Sequence, residues 1–224
     1  MISENVLKIK ERVSLVCSRV NRDPASITIV GVSKGRSVAE IKEVVASGIT
    51  DIGENRIQEA IAKYNELRAQ SSQLRAIKWH LVGHLQTNKV KEAVKIFDLI
   101  HSVDSLRLAK EIDKEAKKEN KIQDVLIQVN TSGEKTKFGL RPDEVTGVIN
   151  QVAELKNINI VGLMTIAPLV DDPGRTRSYF RKLRELKDKL YELKILSMGM
   201  TDDFEVAVEE GATVLRLGRA LFEG

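Results

Sequence analysis

Strand-like and helix-like hydrophobic patterns alternate through the whole chain, and that alternation restricts the fold more than any other feature. After an amphipathic stretch from about Ile2 to Val20, short apolar runs read as strands at Ile27–Ser33, Ile49–Gly53, Lys78–Gly83, Leu99–Val103, Val125–Thr131, Ile158–Ile166, Lys194–Met198 and Thr213–Gly218. Helical patterns separate them, at Val38–Ser47, Glu54–Arg68, Asn88–Phe97, Leu106–Glu119, Asp143–Leu155, Thr176–Leu190 and Asp202–Glu210. Gly48 and Gly211 each stand after a helix and before a strand, where a left-handed cap is expected. Pro142 and Asp143 suit the opening of a helix. Strands joined through helices run parallel. Eight such units in 224 residues predict an α/β chain: a (β/α)8 TIM-type barrel with an extra N-terminal helix, one domain over 1–224. An open doubly wound sheet is the alternative, but Gly31-Val-Ser-Lys-Gly35 does not match the Gly-rich dinucleotide turn expected after its first strand.

Composition excludes several function classes. Hydrophobic residues at 42% and charged residues at 30% are ordinary for a globular chain. No run approaches the roughly 20 apolar residues of a membrane helix, and the N-terminus lacks the basic-then-apolar order of a secretory signal. The single cysteine, Cys17, lies on an amphipathic helix pattern as a packing residue and suits a reducing cytoplasm. A net charge of +4 invites a nucleic-acid reading. The charges, however, are interspersed, as in Lys110-Glu-Ile-Asp-Lys-Glu-Ala-Lys-Lys-Glu119, and aromatic residues at 4% are too few for a base-stacking surface.

In a barrel the C-terminal ends of the strands converge on one mouth, and here unusual residues collect at those ends. Lys34 closes Ile27-Thr-Ile-Val-Gly-Val-Ser-Lys34, Asn55 follows strand two, His84 strand three, and Asn130 ends strand five. Met164 and Thr165 end strand six, Ser197-Met-Gly-Met-Thr201 leaves strand seven and Arg216-Leu-Gly-Arg219 leaves strand eight. An amine that loses hydration at a barrel mouth becomes a nucleophile toward aldehydes; by itself Lys34 also fits a strand-end lysine reaching to water. Barrels often bind phosphate at the turns after strands seven and eight, where Ser197, Gly199, Met200, Thr201, Gly218 and Arg219 stand. Period-two alternation points Arg216 inward with Val214, where it needs a carboxylate, a carbonyl or a ligand atom as acceptor.

An aldehyde trap, a phosphate cradle and an inward arginine together describe a site for pyridoxal 5'-phosphate. The segments Val30-Gly-Val-Ser-Lys34, Gly53-Glu-Asn-Arg-Ile-Gln-Glu59, Trp79-His-Leu-Val-Gly-His-Leu-Gln-Thr-Asn-Lys89, His101-Ser-Val-Asp104, Gly162-Leu-Met-Thr165, Leu196-Ser-Met-Gly-Met-Thr-Asp-Asp203 and Arg216-Leu-Gly-Arg-Ala-Leu-Phe222 carry a resemblance through nearly the whole chain. In this it resembles the YggS/PROSC family of pyridoxal phosphate homeostasis proteins, whose fold type III barrel is like the N-terminal domain of alanine racemase. The resemblance implies that Lys34 holds the cofactor as a Schiff base, that Arg216 approaches the ring nitrogen and Asn55 the ring, and that Ser197, Met200, Thr201, Gly218 and Arg219 surround the phosphate. Met164 belongs to the same expected set. Gly35 and Arg219 stand where the family often has threonine, which leaves open whether the Arg219 side chain or its backbone N–H meets the phosphate.

The resemblance and the single cysteine together point to a cytoplasmic carrier that buffers the cofactor or delivers it to apo-enzymes, with no catalytic residue; a monomer is expected because the helices leave no obvious apolar face uncovered, and no metal, nucleic acid or membrane is expected as partner. A slow amino-acid racemase and a Schiff-base aldolase are the alternatives. An arginine beside the ring nitrogen leaves a weak electron sink. Tyr64, Tyr179 and Tyr191 fall in helix patterns away from the mouth, and the chain ends directly after the barrel, where racemases bring an acid/base from a second domain. His84 is the remaining candidate base, while His80 and His101 read as structural. Lys137, in the polar loop Asn130-Thr-Ser-Gly-Glu-Lys-Thr-Lys-Phe-Gly139, and Arg36 are expected to attract the phosphate or accept the aldehyde during exchange.

Overall fold

Alternating side chains on each strand sort into two environments, and that sorting closes the sheet. A computed structural model describes residues 1–70, 73–190 and 193–223; Tyr191 lies outside them. Within them β1 (Thr28–Val32), β2 (Asp51–Glu54), β3 (Lys78–Leu81), β4 (Leu99–Val103), β5 (Gln123–Gln128), β6 (Ile158–Met164), β7 (Ile195–Ser197) and β8 (Val214–Leu217) pair in sequence order, all parallel. β8 returns to β1 with Val30 opposite Arg216, so the barrel is closed. Ile52, Trp79, Leu81, Ile100, Leu163, Leu196, Leu215 and Leu217 face the helices and share one buried cluster with them. The opposite parity faces inward. There Leu99, Leu126 and Met164 form a separate apolar cluster, beside a row of polar groups from β2, β3, β4, β7 and β8.

The N-terminal helix α1 (Ile2–Arg19) buries Ile2, Val6, Ile9, Val13, Val16 and Cys17 at helical spacing. It packs on α8 (Phe204–Glu209) and the short α9 (Arg219–Phe222), and Asn5 donates to the Leu221 carbonyl at 3.2 Å. Gly48 and Gly211 take φ of +85° and +96°, the left-handed conformation that the sequence pattern predicts at both places. Among the described residues no helix is long and apolar enough to cross a membrane.

Most strands are a residue or two shorter than their apolar runs. β5 stops at Gln128 rather than Thr131 because the following loop folds back on it: Asn130 N–H donates to Leu140 O and Leu140 N–H to Gln128 O. The shift that bears most on the site is at Glu54. The pattern opens a helix there, yet Glu54 ends β2 and α3 (Ile57–Gln70) begins three residues later. Its carboxylate is fully buried, accepting from Ser33 Oγ at 2.5 Å and from Lys63 Nζ at 2.6 Å. Burial pushes the Glu54 carboxyl above its ordinary value, against the pull of the Lys63 and Ser33 hydrogen bonds.

Lys63, reaching back from α3, also donates to Ser33 O and to Glu59 Oε1, each at 2.6 Å, while Glu59 Oε1 accepts from the Gly35 N–H at 2.6 Å. One buried ammonium thus grips the residues on both sides of Lys34. Replacing one member of a buried pair strands the other charge, at about 3–5 kcal/mol. Lys63→Met is therefore expected to lose that much unfolding free energy in urea, and Glu54→Leu in the same chain to recover part of it; an unchanged midpoint for the single variant would show that the cluster does not hold the turn.

Candidate functional site

The mouth of the barrel holds a cavity of about 360 Å³ that Lys34, Asn55, Met200, Thr201, Arg216, Gly218 and Arg219 all line. Its volume falls in the range of small-ligand sites. Val32, Val82, Ile166 and Asp202 complete the lining. Asn55 reaches the cavity because Gly83 lets the chain after β3 pass its backbone: a Cβ on Gly83 would stand 2.3 Å from Asn55 O.

The two closing turns are tied to each other. In the first, Gly199 takes a φ of +93°, and a Cβ there would meet the Ala207 Cβ at 2.6 Å, so glycine is required. Asp203 Oδ1 accepts from Met200 N–H at 2.6 Å, Gly199 O accepts from Arg216 N–H at 3.0 Å, and Thr201 Oγ1 accepts from Ala220 N–H in α9 at 3.3 Å. Arg219 directs its guanidinium at Asp202, 2.5 Å away, so its side chain is engaged by a carboxylate. Gly218 and Arg219 open α9, where the Arg219 N–H has no acceptor within the helix, while Gly218 O takes the Leu221 and Phe222 N–H groups.

Arg216 is buried, with 4% of its surface exposed. It donates through Nη1 to Ser197 Oγ at 2.7 Å and through Nη2 to Thr165 O at 2.8 Å, so a hydroxyl and a carbonyl supply the acceptors. Burial pulls its guanidinium down to about 10, with Asp203 pulling the other way; it stays charged at neutral pH. Behind it, His101 Nδ1 lies 2.9 Å from Ser197 Oγ, His101 Nε2 lies 2.9 Å from His80 Nδ1, and His80 Nε2 lies 3.0 Å from Asp51 Oδ1. Burial first, then repulsion from Arg216 and from His80 in its protonated form, hold His101 well below the usual histidine range.

Several expectations need correction. Met164 is fully buried in the inner apolar cluster with Leu99 and Leu126, and Ser197 is fully buried beneath Arg216; neither lines the cavity. Their positions at strand ends were visible in sequence, but the depth of those ends was not. Lys34 lines the cavity yet is exposed, so the burial anticipated for its amine is absent. Arg36 pairs with Glu40 and Glu223 over the Phe222 ring rather than facing the cavity. Lys137 pairs with Glu134 and lines a neighbouring, mostly apolar cavity that shares Ile166, Met200 and Asp202 with the mouth. His84 stacks on Phe138 and sits 3.3 Å from Asp104, lining a third hollow beside Asn55. Tyr64 and Tyr179 lie on α3 and on α7 (Arg177–Asp188), as the helix patterns predict. The apolar lining and the histidine row were missed. The signal for both lay in strand parity, which sends Val32, Val82, His80 and His101 inward.

Pyridoxal phosphate is a flat ring with an aldehyde and a doubly acidic tail. The donor set fits it: an amine at the rim, a guanidinium on the floor, the Thr201 hydroxyl and the Arg219 N–H at one side, and Val32, Val82, Ile166 and Met200 as an apolar wall. The single acid in the lining, Asp202, is already matched by Arg219.

Residues 5–224 match the family model of the alanine racemase N-terminal domain. A pyridoxal phosphate homeostasis protein of Aquifex aeolicus (strain VF5) is 44% identical over 224 residues, covering 98% of this chain and 96% of its own. PipY of Synechococcus elongatus PCC7942, solved with pyridoxal phosphate bound, is 36% identical with a TM-score of 0.84, over 99% of this chain and 100% of that one. An alanine racemase of Clostridium difficile 630 superposes with a TM-score of 0.74 at 16% identity, over 97% of this chain and 56% of that one, a likeness of fold. Matched along nearly its whole length, this chain belongs to the family of pyridoxal phosphate homeostasis proteins, built on the alanine racemase N-terminal domain.

Proposed function

We propose that the chain is a cytoplasmic, monomeric, single-domain carrier that takes up pyridoxal 5'-phosphate at the barrel mouth, holds it and releases it to apo-enzymes. The observation that carries this reading is the convergence of Lys34, Arg216 and the turns after β7 and β8 on one cavity. Membership of a family named for the homeostasis of this cofactor supports it, as does the bound cofactor in PipY. The buried free thiol of Cys17 suits a reducing compartment.

When bound, pyridoxal phosphate supplies an aldehyde that condenses reversibly with an amine and releases water. Lys34 offers that amine on a turn whose flanking atoms, Ser33 O and Gly35 N–H, are fixed by Lys63 and Glu59. The Thr201 hydroxyl and the Arg219 N–H that opens α9 offer donors to the anionic tail. Arg216 carries donors at the floor and has no lone pair to accept a proton, so it would hold a ring nitrogen placed there in its unprotonated form. That favours storage over carbanion chemistry. The exposure of Lys34 supports exchange, because a second amine from solvent or from a client enzyme reaches the same rim.

Borohydride treatment of protein mixed with pyridoxal phosphate is expected to leave a pyridoxyl phosphate adduct on the peptide containing Lys34, read by mass spectrometry, and Lys34→Ala to lose it. An adduct of equal yield in that variant would sink the assignment. A carrier should also leave the α-hydrogen of added alanine in place. Multiple-turnover deuterium exchange at that carbon in D2O would instead support the racemase reading.

A further inference from the structure

The histidine row behind Arg216 runs from the mouth to the base of the barrel, and the chemistry of its two ends fixes the direction of every hydrogen in it. Arg216 carries only donors, so Ser197 Oγ must accept from it and keeps its own hydrogen for another partner. The atom 2.9 Å away on the other side is His101 Nδ1, which then accepts. A neutral imidazole has one N–H, so His101 Nε2 donates to His80 Nδ1 across 2.9 Å. At the far end Asp51 is an acceptor, and His80 Nε2 donates to its Oδ1 at 3.0 Å. Every group between the ends both accepts and donates once.

We infer that His101 and His80 are positioning residues for Arg216: a one-directional hydrogen-bond chain from Arg216 through Ser197, His101 and His80 to Asp51 fixes the guanidinium on the cavity floor. The chain links five strands, β2, β3, β4, β7 and β8, from Asp51 at the start of β2 to Arg216 near the end of β8. Asp51 also lines a separate cavity at the base, among the N-terminal ends of β1 and β2. The chain does not carry protons to the mouth, because it ends on a group that does not give one up at neutral pH. Its effect is orientation and polarisation: hydrogen bonds in series strengthen one another in a low-dielectric interior, and the Asp51 carboxylate answers the buried positive charge from a distance. Without His101, the Ser197 hydroxyl has no acceptor and is free to rotate away, which loosens one of the two bonds that hold Arg216 in place.

This inference rests on the carrier reading only for its effect on the cofactor, and the decisive experiment separates the two. The chain has three histidines, so the ring nitrogens of the unloaded protein can be assigned by long-range ¹H–¹⁵N correlation at neutral pH. We expect His101 and His80 both to carry hydrogen on Nε2 and none on Nδ1; hydrogen on His101 Nδ1 would reverse the chain and overturn the inference. In the loaded protein, His101→Leu should release pyridoxal phosphate about tenfold faster, the worth of one hydrogen bond to a charged group, and shift the visible absorbance band. His101→Gln, whose amide also accepts and donates, should restore both. Release and spectrum unchanged in His101→Leu would refute the positioning role, and a Leu variant that fails to fold leaves the tautomer measurement to decide. Wild-type protein that takes up no cofactor would refute the carrier reading alone, with the tautomers still judging the chain.

Discussion

A guanidinium shut inside a parallel barrel must have its charge answered by the barrel itself, and the inner face of this protein is organised around that demand. Removing such an ion from water costs several kcal/mol even after relaxation. Among the described residues no carboxylate touches Arg216; a hydroxyl, a carbonyl and the nearby Asp203 charge offset the cost in part, and burial holds its guanidinium at about 10. An apolar interior of equal volume would be as stable or more so. One half of the interior takes that course with Leu99, Leu126 and Met164. The polar half carries no advantage in burial, so its value lies in where it holds a donor.

Floor and rim of the cavity are built on opposite principles. The floor is a buried cation in a network of fixed partners, whereas the rim carries an exposed amine on a turn anchored only through its neighbours. A fixed floor pre-organises the site and lowers the ordering cost of binding. An open rim keeps the condensing atom within reach of water and of competing amines. Such a rim suits the reversible loading we propose.

The architecture was legible because its signal is distributed: eight apolar runs with seven intervening helical patterns fit very few folds. Strand ends were less so. Glu54 looks like the first residue of a helix because its charge is unusual in a strand, and only the tertiary partners Ser33 and Lys63 make a buried position tolerable. Depth was the second blind spot. Ser197 and Met200 are three residues apart in one turn, yet one is sealed beneath Arg216 and the other stands at the surface. Sequence parity says which face a side chain takes and says nothing of how far down the barrel axis it sits. Partner choice was the third: Arg36 and Lys137 lie near the mouth, but Glu223 and Glu134 claim them.

The separation of amine and guanidinium is set by one pairing. β1 and β8 meet with Val30 opposite Arg216, and the chain then runs four residues further to Lys34. A slip of one residue would turn Arg216 outward into the helix layer, where Leu215 and Leu217 belong, and would carry Leu217 into the polar row. Both errors bury a mismatch, so the register is defended by the outer core and by the inner chain together. The anionic side follows β8 as well, since Arg216 N–H holds Gly199 and Ala220 N–H holds Thr201. One strand thus ties the floor to both closing turns, while the Lys34 turn on the other wall is anchored separately, through the buried ammonium of Lys63.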